Sequence, residues 1–129
     1  MVKSLSSDPV ADSVALGKRP ALAQLAPVFR SDRMQAHVRR LADDAMRGRG
    51  LGSKELDVAA DYIAAAFKAS GLLPAGDDGS YFQQFEVAKG PQGKPVMAKN
   101  VVAVLPGSNP DWKQQSMVLS AHYDHLGMG

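Results

Sequence analysis

Two near-continuous apolar runs, NVVAVL at 100–105 and SMVLSA at 116–121, set the tightest limit on how this chain can fold. A strand with one wet face alternates apolar and polar residues, whereas a run without alternation fits a strand covered on both faces. Covered strands need helices above and below their sheet, so the expected class is α/β. Between the runs, PGSNPDWKQQ at 106–115 reads as a compact polar connection, with Trp112 as a surface lid over one strand end.

Upstream, two stretches carry a helical period. In SDRMQAHVRRLADDAMRGRG at 31–50, Met34, Val38, Leu41 and Ala45 recur at intervals of four, three and four, which is one helical stripe. Asp32 followed by Gln35 resembles a capping box at its start, and Gly48 and Gly50 close it. His37 lies beside the stripe and reads as a solvent-facing helix residue. A second helix is expected over 54–70, capped by Ser53, with Leu56, Ala60, Ile63 and Phe67 on its inner face. Gly71 supplies a left-handed stop, Leu72 the apolar contact that follows it, and Pro74 forbids resumption. AGDDGS at 75–80 is a turn, and YFQQFEV at 81–87 a strand with Tyr81, Phe85 and Val87 on one side. Residues 88–99 form a polar loop. Residues 1–30, with prolines at 9, 20 and 27, read as a mobile or loosely docked arm, leaving 31–129 as the folded portion.

Composition narrows the function classes. The 129 residues suit one core, and 45% hydrophobic with 22% charged residues is the balance of a globular chain. Residues 1–50 hold nine of the 15 Lys and Arg, but Asp32, Asp43 and Asp44 are interleaved and no aromatic sits among the arginines to stack on bases. That pattern is a solvated helix face, and no nucleic-acid partner is expected. RGRGLGS at 47–53 lacks both a preceding strand and a lysine followed by serine or threonine, so an interhelical turn explains its glycines. No run has the length of a signal-peptide core or a membrane span. With no cysteine, His, Asp and Glu are the only strong metal ligands in the chain.

The chemistry concentrates in LSAHYDHLGMG at 119–129. On a strand, His122 and Asp124 project to one side and Tyr123 to the other. A metal-bound imidazole normally gives its other ring hydrogen to a carboxylate, and His-x-Asp supplies both partners within three residues. Open α/β sheets place their sites beyond the carboxyl ends of strands, where SMVLSA delivers these residues. The motif is short, and a histidine at a strand end is more often structural. His125 is a turn residue on the plainer reading, or a metal or substrate contact.

The order of LADDAMRGRGLGS, AADYIAAAFKASGLLPAGDDGSYFQQF, KNVVAVLPGSNP and VLSAHYDHLGMG resembles the amino-terminal part of the bacterial two-zinc aminopeptidases, peptidase family M twenty-eight. The resemblance runs over 31–129. It implies a three-layer α/β/α sandwich with a mixed sheet, and a zinc-dependent exopeptidase that removes amino-terminal residues from peptide substrates with water activated between two zinc ions. It implies zinc binding by His122, with Asp124 as the carboxylate that supports it, and a structural role for Arg49. The family's location implies a periplasmic or secreted parent.

The family's bridging aspartate, general-base glutamate, further carboxylate ligands and final histidine fall after the matched segment. The 129 residues by themselves are therefore expected to be inactive and to offer at most a partial zinc site. The alternative is a non-catalytic fragment or binding module that keeps the front half of the family. Either way, strands left without their neighbours expose apolar surface, and self-association is expected.

Overall fold

The computed structural model describes residues 30–128. They form a mixed α/β arrangement of two helices and two small antiparallel sheets joined by single-turn connections. Residues 1–29, assigned to the arm, and Gly129 lie outside the described residues.

Helix α1 spans Ser31–Leu41 and is shorter than its apolar stripe predicts. The expected capping box does not form. Arg30 occupies the cap position without a side-chain bond, and Asp32, inside the first turn, takes the Arg30 guanidinium at 2.8 and 3.2 Å. The helix stops because Asp43 offers the backbone a competing partner: its carboxylate accepts the Ala45 N–H at 2.9 Å and starts a new turn. That 3₁₀ segment, Asp44–Arg49, kinks at Arg47 and Gly48, both with positive φ. The break at Asp43, ahead of Met46, changes which residue faces inward. Met46, outside the expected stripe, is buried, whereas Met34 and Val38 are exposed and α1 buries none of its residues.

Helix α2, Lys54–Ala69, follows its sequence signals closely. The Ser53 hydroxyl accepts the Leu56 N–H at 3.1 Å. At the other end Gly71, at φ +75°, donates to the Lys68 carbonyl at 3.0 Å, and Leu72 to Phe67 at 3.1 Å. This pair of bonds is the Schellman closure that a left-handed glycine permits. Leu56, Ala59, Ala60 and Ala64 are buried, while Ile63 and Phe67 are half-buried. Small side chains on this face let the helix lie close to the 3₁₀ segment and the strands.

The strands are β1 (Leu73–Pro74), β2 (Phe82–Val87), β3 (Val96–Val101) and β4 (Ala103–Val104). β2 pairs antiparallel with β3, Phe82 opposite Val101 and Val87 opposite Val96. β1 pairs antiparallel with β4, Leu73 opposite Val104. The NVVAVL run is therefore one thread serving two ribbons. It changes partner at Val102, whose N–H donates to the Tyr81 carbonyl at 2.8 Å and whose carbonyl accepts the Ala75 N–H at 3.2 Å. The last four residues of the expected 88–99 loop are strand, and the rest form the hairpin connection around the turn at Pro91–Gly93.

Double burial is not reached. Residues 101–103 are half-buried, and Val104, Leu105 and Phe85 are exposed. SMVLSA is a larger departure: no described residue of 116–121 is in a strand, and Met117, Val118 and Leu119 are open to solvent. A strand requires a partner for its backbone groups, and none of the described strands pairs with this segment. Trp112, in the one-turn helix Pro110–Trp112, is exposed.

The Arg30 guanidinium beside Asp32 holds its carboxyl below the ordinary carboxylate range. A lowered folded value means that the contribution is complete above the ordinary aspartate value and is lost as pH falls through the lowered one. Helicity of α1, read from residue-resolved carbon shifts, is expected to decline over that acid window. Asp32→Asn should remove the decline, leaving a small, pH-independent loss fitting an exposed pair.

Candidate functional site

The 122–128 segment is held against the turn that follows α1. The Arg49 carbonyl accepts the His125 N–H at 3.0 Å, and the Gly48 carbonyl accepts the Gly127 N–H at 2.9 Å. The Arg49 guanidinium returns through Nε to the Tyr123 carbonyl at 2.9 Å. Such close backbone contact depends on missing side chains. A Cβ on Gly48 would stand 2.5 Å from the Gly127 carbonyl oxygen, and one on Gly50 would stand 2.9 Å from Gly127 Cα. Gly48 and Gly127 also have φ of +65° and +77°, where a side chain adds strain.

Tyr123 anchors the segment from its other side. Its hydroxyl donates to the Lys99 carbonyl on β3. The Lys99 ammonium pairs with Asp57 of α2 at 2.9 Å and lies 4.8 Å from the centre of the Phe82 ring. Burial pushes the Tyr123 phenol up from its ordinary value, and the Asp57 and Asp124 charges add to the effect, so the phenol stays a neutral donor.

With Tyr123 turned inward, His122 and Asp124 face out together. His122 Nδ1 lies 3.1 Å from Asp124 Oδ1, and the imidazole side chain is 95% exposed. An ionised carboxylate can only accept, so this contact calls for a hydrogen on Nδ1, which in the neutral ring leaves the Nε2 lone pair open. A neutral ring in that tautomer has the free lone pair of a metal ligand. A groove beside the pair is floored by Leu56, Phe85, Val87 and Ala98.

His125 points to a different place. Its backbone is tied to Arg49, and the residue lines a separate cavity with Arg47, Glu55 and Pro91. His37 bonds Tyr62 OH through Nδ1 at 2.7 Å on the exposed side of α1. Of the other acidic pairs, Asp43 caps its turn and Asp77 accepts the Gln84 N–H at 2.7 Å, so both have backbone duties. Among the described residues, no group of three His, Asp or Glu side chains is arranged to hold a metal ion. The support from Lys99 and Gly127 was not read from the sequence. The available signal was the pairing of RGRG with LGMG, two glycine-bearing stretches 77 residues apart by the Gly50 and Gly127 positions.

Comparison with known proteins finds no family model, no curated protein and no solved structure that matches this chain.

Gly48→Ala is expected to destabilise the contact by about 1–2 kcal/mol from the left-handed backbone alone, with the clash against Gly127 in addition. The measurement is amide exchange at Gly127 and His125. Protection as strong as in the unsubstituted chain would show that the close approach is not needed.

Proposed function

We propose that this chain is the front portion of a zinc-dependent aminopeptidase with a three-layer α/β/α fold, and that His122 is one of its zinc ligands. The observation that carries the reading is the His122–Asp124 contact at 3.1 Å beside an imidazole nitrogen open to solvent. Such a donor fits zinc, which takes neutral imidazole and tolerates a carboxylate behind it. Zinc in such a centre lowers the pKa of a bound water and polarises the peptide carbonyl.

The parts of this chain divide the remaining work. His122 offers Nε2 as a ligand. Asp124 keeps the ring hydrogen on Nδ1 and fixes the ring's direction. The apolar floor of the neighbouring groove would receive part of a peptide substrate. A hydrolytic zinc site takes three protein ligands and a base. In this reading the remaining ligands and the base come from outside the described residues, and His125 is a backbone anchor of the segment.

The test is a zinc titration of the chain followed by the ring signals of His122. Zinc should shift those signals. His122→Ala should abolish the response at this site, and Asp124→Asn should weaken binding by roughly 10- to 100-fold through loss of the carboxylate partner. A His122 ring indifferent to zinc, or an Asp124→Asn chain of undiminished affinity, would refute the assignment.

The same reading includes self-association. The exposed run of Met117, Val118 and Leu119, with Leu126 and Met128 nearby in sequence, offers apolar side chains and unpaired backbone to a second copy. Sedimentation should show concentration-dependent species that Leu119→Lys shifts toward monomer. A single monomeric species at high concentration would count against it.

A further inference from the structure

We propose that Arg49 is the positioning residue of the His122–Asp124 pair, acting through the Tyr123 carbonyl that lies between them in the chain. One short turn holds the segment at every second residue: Arg49 Nε on the Tyr123 carbonyl, the Arg49 carbonyl on the His125 N–H, and the Gly48 carbonyl on the Gly127 N–H. A two-residue period is that of extended backbone, which sends residues two apart to the same face. The 122–124 stretch has no strand partner among the described residues, so the Arg49 contacts and the Tyr123 hydroxyl do the work that a sheet would otherwise do. The result is the outward His122 ring meeting the Asp124 carboxylate.

Arg49 sits at φ +42°, a left-handed conformation that glycine adopts at less cost. An arginine in that conformation is offset by what its side chain bonds, and the guanidinium bond goes to Tyr123. The two backbone contacts at His125 and Gly127 would survive loss of the side chain in principle. The bond between His122 and Asp124 in sequence, at the Tyr123 carbonyl, would not. Arg49 therefore touches neither metal nor substrate, and its effect passes through the peptide between the two functional side chains.

The functional sense of this role rests on the reading of His122 as a zinc ligand, but the geometry is measurable without metal. The experiment uses the full chain labelled with ¹⁵N and reads the His122 tautomer from long-range proton–nitrogen spectra, first without zinc. The unsubstituted chain should show the hydrogen on Nδ1. Arg49→Ala should abolish Nδ1–H as the dominant form, while amide protection at Phe85 and Ala98, an opposed pair of the β2–β3 hairpin, stays as it was. A purely structural arginine would alter amide protection and leave the tautomer alone. An unchanged tautomer in Arg49→Ala, or an Nε2–H ring in the unsubstituted chain, overturns the proposal.

Should Arg49→Ala lose the helical far-ultraviolet signal, Arg49→Lys carries the test, because it keeps the charge without a donor at the Nε position. It should show a partial loss of the Nδ1–H form, and no loss overturns the proposal. Zinc is then added as a separate arm. A His122 ring that ignores zinc in the unsubstituted chain refutes the zinc reading, while the tautomer result still decides the role of Arg49. Binding that Arg49→Ala weakens by roughly 10-fold supports the role, and equal affinity in the two chains overturns it.

Discussion

The contact between the 48–50 turn and the 125–127 segment is the constraint on which the candidate site depends. It joins parts of the chain that are distant in sequence without a shared strand, through backbone hydrogen bonds made possible by glycines on both sides. Backbone contact of this kind is unforgiving, because neither side can move away by a change of rotamer. It converts a local property of residues 47–49, their run of positive φ, into the direction of side chains at 122 and 124.

The second constraint comes from α2, which presents alanines rather than bulky residues at the points of closest approach. Such a face contributes little transfer free energy per side chain, yet it sets the spacing between helix, 3₁₀ segment and strands. Asp57 on the same helix reaches Lys99, and the Lys99 carbonyl receives Tyr123. Two consecutive elements, the turn after α1 and α2, thus converge on the same distant tyrosine, the turn at its main chain and α2 through Lys99 at its side chain.

Helix α2 was legible in the sequence because its signals agreed: a serine cap, a regular apolar period and a glycine stop. Helix α1 was legible in position but not in extent. Its apolar period continued through Asp43, and periodicity carries no information about a carboxylate that bonds its own backbone two residues on. The burial of Met46 followed from that same turn. The near-continuous apolar runs were read as covered strands, yet what covers or pairs a run is a property of the rest of the fold and not of the run. At the site, spacing placed His122 beside Asp124 in prospect, whereas the carbonyl bonds from Arg49 and to Lys99 join residues more than twenty positions apart and leave no local pattern.

The change of partner at Val102 couples alignments that would otherwise be independent. Because Val102 bonds Tyr81 through its N–H and Ala75 through its carbonyl, a one-residue slip of this thread would turn its side chains to the opposite face in both ladders. Errors in pairing are thereby made collective and costly, and a two-residue ribbon too short to define its own alignment inherits it from a six-residue neighbour.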